Sequence, residues 1–243
     1  MTTTADLLEV QYLGRSPRID HLAEVSERLV AKYGVPTLGN FRDPVKEIFY
    51  ILLSAKTTDA QYRATHRKLW TTFPSLSQLG AASIPSIRSC ILTGGLAGKR
   101  ARQIKRTARR LIAAGGENPS QYLKSLEPRA SFDFIRSLPG MGPKSALCVL
   151  MCSLGIDAFP VDVNVQRIAE RLGVLKTGLK HYQAQERLAR VVPPGRAKEL
   201  HIGMVVHGRT ICLPRKPKCR SCPLVDLCNR GRKEMKRDGI QKA

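Results

Sequence analysis

Acidic residues are scarce in this chain: 19 Asp and Glu stand against 41 Lys and Arg, for a formal charge of +22 over 243 residues. That excess goes well beyond what solubility requires and points to a polyanionic partner. An anionic membrane would also attract such a charge. No apolar run, however, approaches the roughly 20 residues that a spanning helix needs, and the longest, around Ala146 to Cys152, suits a core helix. Nor is there an apolar stretch at the N-terminus, where Asp6 and Glu9 fall, so no secretory leader is expected. We therefore expect no membrane association, a monomer, and a place in the cytosol beside the nucleoid, or in a nucleus or organelle of a eukaryote. Alternating strand patterns, internal repeats and Gly/Ser linkers are also lacking, which leaves an all-α fold. The length allows one large domain or two small ones sharing a cleft.

Helical signals fill the chain from about residue 17. Ile19, Leu22, Val25 and Leu29 recur every three or four residues before Gly34 and Pro36. Asp43-Pro44 reads as an N-cap and first turn, followed by the apolar face Val45, Ile48, Phe49 and Leu52. Thr57, Thr58 and Asp59 open another helix through Trp70, the sole tryptophan, which we assign to the core. Further helices are predicted at 83–91, 100–114, 131–137, 144–154, 165–172, 183–192 and 197–207, separated by Gly or Pro. Residues 1–16 read as a flexible N-terminus and 231–243 as a solvated basic tail.

Of the seven cysteines, Cys90, Cys148 and Cys152 lie in apolar surroundings and read as small core residues. The other four are clustered: Cys212, six residues, Cys219, two residues, Cys222, five residues, Cys228. In a reducing compartment such spacing marks metal ligands rather than disulfides. Four thiolates on one loop suit either a tetrahedral zinc or a [4Fe–4S] cluster, and spacing alone does not separate them. His201 and His207 lie nearby, but four cysteines already complete a ligand set. A metal closing this loop would present Arg215, Lys216, Lys218 and Arg220 to phosphates.

Leu138-Pro139-Gly140-Met141-Gly142 joins two helical stretches, and Lys144-Ser145 opens the second. Two glycines in such a turn let backbone N–H groups approach a phosphate, and a helix N-terminus adds positive potential. The bland alternative is a Pro-Gly loop between core helices. Lys144 favours the functional one. An ammonium in a first turn opposes the helix dipole, and a partly neutral amine there can attack a sugar carbon and form a Schiff base. As a plain surface lysine it would only touch phosphate. Asp162, in Phe159-Pro160-Val161-Asp162-Val163-Asn164, is either a simple N-cap or a carboxylate that stabilises developing positive charge on a deoxyribose. Lys99, Arg100, Arg102, Lys105, Arg106, Arg109 and Arg110 fall in twelve residues without an acid and predict a phosphate-facing stripe.

Taken together, LLSAKTTD at Leu52–Asp59, LPGMGPKSA at Leu138–Ala146, FPVDVNVQRI at Phe159–Ile168, HGRTIC at His207–Cys212 and the cysteine spacing resemble the endonuclease III branch of the helix-hairpin-helix DNA glycosylases, over roughly residues 20–230. The resemblance implies two helical domains with a DNA-binding cleft between them: a six-helix domain at 38–150, and a cluster domain built from 17–37 and 151–230. It implies double-stranded DNA as partner with the target base flipped out, Lys144 as nucleophile, Asp162 as catalytic carboxylate, and a [4Fe–4S] cluster on Cys212, Cys219, Cys222 and Cys228. DNA contacts are expected from Lys56, Leu96, Arg100, Gly140, Gly142, Ser145 and Asn164. Lys56 stands where the family commonly has glutamine, Ala97-Gly98 where it has an aromatic residue and asparagine, and Val163-Asn164 where it has threonine and histidine. The asparagine after FPVD is similar to that of plant glycosylases that remove 5-methylcytosine. A bifunctional glycosylase and abasic-site lyase for damaged or modified pyrimidines is the leading expectation. Mismatched or methylated pyrimidines, or a non-catalytic metal-stabilised DNA-binding protein, are the alternatives.

Overall fold

The computed structural model of the protein describes residues 17–92 and 96–237. The expected flexible segment 1–16 lies outside them, as do the last six residues of the expected tail. Among the described residues all regular structure is helical, and none of the helices is long and apolar enough to cross a membrane. The described residues divide into two compact units, one within 39–156 and the other formed by 17–38 with 157–237.

The continuous unit is organised around α2 (Pro44–Ser54), nine of whose eleven residues are buried. Asp43 caps it, its carboxylate accepting from Lys46 N at 2.8 Å, and Pro44 occupies the first turn. A helix buried almost all round must satisfy any polar group it carries inward. Glu47, fully buried, does so by accepting from Asn40 Nδ2 at 2.5 Å and Phe41 N at 2.8 Å. Against α2 pack α3 (Asp59–Thr72), α6 (Ala97–Gly115), α7 (Pro119–Ser125) and α9 (Pro143–Ser153), while α4 (Leu76–Ala81) and α5 (Ile84–Cys90) pack on α6 and α8 (Pro128–Ser137) on α9. Burial of Phe49, Ile104, Leu111, Phe132 and Leu150 forms the core, each side chain contributing roughly 1.5–3 kcal/mol. Trp70 is half-buried on this core, edge-on to Phe49 at 5.6 Å, and donates to His66 Nε2 at 3.0 Å.

The discontinuous unit comprises α1 (Pro17–Tyr33), α10 (Val163–Leu172), α11 (His181–Ala189), α12 (Ala197–Thr210), a 3-10 turn at Cys219–Ser221 and α13 (Asn229–Arg237). Leu22, Val25 and Leu29 of α1 pack with Val165, Ile168, Leu200 and Met204, and Cys212, Cys222 and Cys228 lie against this cluster.

Three helices escape the sequence periodicity. α4 and α7 span six and seven residues, too short to display a period, although the Ser75–Gln78 capping box and Asn118-Pro119 announce them. Residues 231–237, expected in a solvated tail, instead belong to α13. Its composition is that of a solvated segment, but it is docked at Gly231, where a Cβ would come within 2.7 Å of Val225 O.

Candidate active site and cysteine centre

In the continuous unit, α8 and α9 are joined by Leu138–Gly142. Leu138 and Met141 are buried and anchor the turn, which is closed by Met141 N donating to Leu138 O at 3.0 Å. Arg110 holds the end of α8, donating to Ser137 O at 2.6 Å and Ser137 Oγ at 3.0 Å. The two glycines differ in role. Gly140 has φ +88°, and an added Cβ would meet Gln103 Nε2 at 2.6 Å and Leu52 Cδ1 at 2.7 Å. Gly142 has φ −111° and nothing within 4 Å of an added Cβ. Its open side flanks the start of α9, which has no side-chain cap and no acid in its first turn. Lys144 is the second residue of that helix and Ser145 the third, both half-buried. A hairpin with an uncapped, acid-free helix start suits an anion. Gly140→Ala is expected to destabilise the fold by about 1–3 kcal/mol through strain and overpacking. Gly142→Ala should leave stability within about 0.5 kcal/mol while weakening duplex binding. Chemical denaturation and fluorescence anisotropy on the two variants separate these effects.

Lys56 and Leu96, expected to meet DNA, are both exposed and both hold left-handed backbone, with φ 55° and 52°. Bulky residues in that region are strained, a cost of order 1–3 kcal/mol that concentrates at functional positions. Arg100 requires a correction. It was expected on a phosphate-facing stripe, yet it is only 3% exposed. Its guanidinium donates to Ala55 O and, at 3.0 Å, to Thr57 Oγ1, the residues on either side of Lys56. Arg100 N also bonds Leu96 O at 3.0 Å, so one residue ties both strained positions together. Burial holds the Arg100 pKa below its usual value, and these backbone and hydroxyl acceptors help to satisfy the buried guanidinium. Arg100→Ala should cost about 2–4 kcal/mol in urea denaturation, since it removes a buried, hydrogen-bonded side chain and leaves a cavity. A surface phosphate contact would cost almost nothing in the same measurement.

In the discontinuous unit, Asp162 is the N-cap of α10. Its Oδ1 accepts from Asn164 N and Val165 N, both at 2.8 Å, and its Oδ2 from Asn164 Nδ2 at 3.1 Å. The strand of chain before it is fixed by two buried polar side chains. Gln185 accepts from Val161 N at 2.8 Å and donates to Phe159 O at 2.7 Å, while His201 Nδ1 bonds Pro160 O at 2.8 Å. His201 thus serves the Asp162 loop. Asn164, expected on DNA, spends its amide on Asp162 and on Arg167, whose Nη2 donates to Asn164 Oδ1 at 2.8 Å. Arg167 continues to Gly208 O at 2.9 Å and Cys212 O at 3.0 Å, a continuous chain from the carboxylate to the cysteine loop. Gly208 permits this approach: an added Cβ would lie 2.7 Å from Asn164 Cβ.

Cys212, Cys219, Cys222 and Cys228 line one small cavity, with Arg171 and Gly231 on its wall. Arg171 Nη1 donates to Cys212 Sγ at 3.1 Å, Leu224 N to Cys222 Sγ at 3.4 Å and Gly231 N to Cys228 Sγ at 3.3 Å. Burial raises the Cys219, Cys222 and Cys228 pKa values, Cys222 to about 11. Thiols so buried ionise when a cation compensates them. Four sulfurs around a common cavity, three of them receiving an N–H, supply a thiolate set for a zinc ion or an iron–sulfur cluster. His207 is an outer neighbour, its Nε2 3.5 Å from Cys222 Sγ and its Nδ1 2.9 Å from Tyr33 Oη. Arg167, Arg171 and Gly208 were not singled out from sequence, although the two arginines stand four apart on one helix.

A family model described as HhH-GPD superfamily base excision DNA repair protein matches residues 49–194. Endonuclease III of Escherichia coli (strain K12) is 32% identical over 190 residues, covering 78% of this chain and 85% of that protein. Among solved structures, a non-covalent endonuclease III–DNA complex superposes with a TM-score of 0.78 at 25% identity, covering 90% of this chain and 98% of that one. A trapped endonuclease III–DNA covalent intermediate superposes with a TM-score of 0.77 at 25% identity, covering 89% and 98%.

Proposed function

Because the chain belongs to the HhH-GPD superfamily of base-excision DNA repair proteins, we propose that it is a bifunctional DNA glycosylase and abasic-site lyase that removes damaged or modified pyrimidines from duplex DNA. The observation that carries this reading is the lysine itself: Lys144 sits in the first turn of an uncapped helix after a Gly-bearing hairpin, in a chain similar to one trapped covalently on DNA. The Lys144 amine attacks C1′ of the extruded nucleotide as the base departs with the glycosidic electron pair and a proton. Ring opening leaves a Schiff base between Nζ and C1′. Loss of a C2′ proton then expels the 3′ phosphate, and water releases the enzyme. Asp162 supplies the carboxylate that stabilises positive charge developing on the sugar. Its N-cap bonds and the Asn164–Arg167 chain keep the carboxylate in one orientation.

In the same reading Cys212, Cys219, Cys222 and Cys228 hold a [4Fe–4S] cluster, whose contribution is to fold the loop that carries Lys216, Lys218 and Arg220. The four sulfurs lining one cavity supply the ligands, and the similarity to endonuclease III favours iron over zinc.

The Asp162→Asn variant separates catalysis from capping. Asparagine caps as well as aspartate, so stability should stay within about 0.5 kcal/mol while base release falls by about 10²–10⁴-fold. Release is measured on duplexes carrying thymine glycol, 5-hydroxycytosine, mispaired thymine or 5-methylcytosine, which also identifies the base removed. Undiminished release by Asp162→Asn would reduce that residue to a cap.

A further inference from the structure

We propose that a groove along α6, beginning at the hairpin, carries the phosphate backbone of duplex DNA beyond the contact made by the hairpin itself. The proposal rests on the base-excision reading and extends its footprint. The groove, about 740 Å³, is bordered by Lys99, Arg102, Lys105, Arg106 and Arg109 on one side and reaches Gly140 on the other.

Two of these cations are fixed by the fold. Lys105 Nζ donates to Ala82 O at 2.7 Å and Arg109 Nε to Gly80 O at 3.0 Å, so both stand over the carbonyl end of α4. Each retains further N–H groups directed elsewhere. Lys99, Arg102 and Arg106 differ: they are exposed, and no hydrogen bond or ion pair engages their side chains among the described residues. They succeed one another at three and four residues and so share a face. From Lys99 to Arg109 the helix rises about 15 Å, which spans about four phosphates of one strand at about 3.4 Å of axial rise each.

The arrangement disfavours the free protein. α6 contains no acid to relieve repulsion between neighbouring cations, and Lys99 lies in its first turn against the dipole. Lys99, Arg102 and Arg106, with no acid on α6 to relieve them and the hairpin turn beside them, would be stabilised by a polyanion.

The test compares Lys99→Gln/Arg102→Gln/Arg106→Gln with a control of equal charge change at exposed positions on α3 and α7, Arg67→Gln/Lys68→Gln/Lys124→Gln. Binding to a duplex with a central abasic analogue is measured over a salt series, together with the thermal midpoint. For the groove variant the slope of log K against log salt should flatten by about 2–3, each lost phosphate contact removing about 0.9, and the midpoint should be no lower than wild type. The control should flatten it by less than about 1. An unchanged slope, an equal change in the control, a lowered midpoint, or a change seen with single strands and not duplex would each overturn the proposal. Borohydride trapping by the wild-type protein tests the base-excision reading separately. A protein that never traps but shows the slope change keeps the groove and loses that reading.

Discussion

Lys144→Ala is expected to abolish the covalent adduct that borohydride captures between the protein and an abasic duplex, and to lower strand cleavage by at least about 10³-fold. The loss should be chemical and not structural. Alanine is the strongest helix former, and a lysine in the first turn of α9 gains nothing from the dipole, so stability should remain within about 0.5 kcal/mol. The informative companion is Lys144→Arg. A guanidinium keeps the positive charge and every phosphate contact but does not deprotonate. A nucleophile loses its adduct on both substitutions, while a mere phosphate contact survives as arginine. Trapping by Lys144→Arg at the wild-type level would assign the amine elsewhere.

Cys222→Ser should empty or disorganise the cysteine centre. Cys222 packs against the core of the discontinuous unit and receives Leu224 N, so a ligand set broken here loosens the segment from Cys212 to α13 and, through Arg167, the footing of Asn164 and Asp162. The expected cost is several kcal/mol, because binding free energy at a structural metal centre is folding free energy. Iron and acid-labile sulfide, at about four each per wild-type chain, should fall together with brown colour and helical signal at moderate denaturant. Cys90→Ala is the control: a buried cysteine of the continuous unit, whose loss should cost about 1–2 kcal/mol and leave iron unchanged. One zinc per chain, or full iron in Cys222→Ser, would overturn the assignment.

What was legible in the chain was whatever local chemistry dictates. Asp43-Pro44 announced α2, the LPGMG turn announced the hairpin, and Asp162 was recognisable as a cap before its role could be judged. Short helices and side-chain destinations were not. α4 and α7 lack the length for a period. Arg100 sat in an acid-free basic run and looked exposed, yet it precedes the buried Ile104 by four residues, and that spacing places it on the inward face of α6. The stripe therefore splits. Arg100, Lys105, Arg109 and Arg110 bind backbone carbonyls of the fold, and Lys99, Arg102 and Arg106 face outward. The path from Asp162 through Asn164 and Arg167 to Cys212 joins residues 50 positions apart, from 162 to 212, and only the packing of α10 on α12 reveals it.

The most direct measurement is peptide mapping by mass spectrometry of the wild-type protein reduced with borohydride on a lesion-bearing duplex. The expected result is a deoxyribose remnant on the peptide containing Lys144 and on no other amine. A remnant on a different lysine or on the N-terminal amine, or no remnant with any damaged pyrimidine or abasic site, would contradict the assignment of this chain as a lysine-dependent glycosylase and lyase.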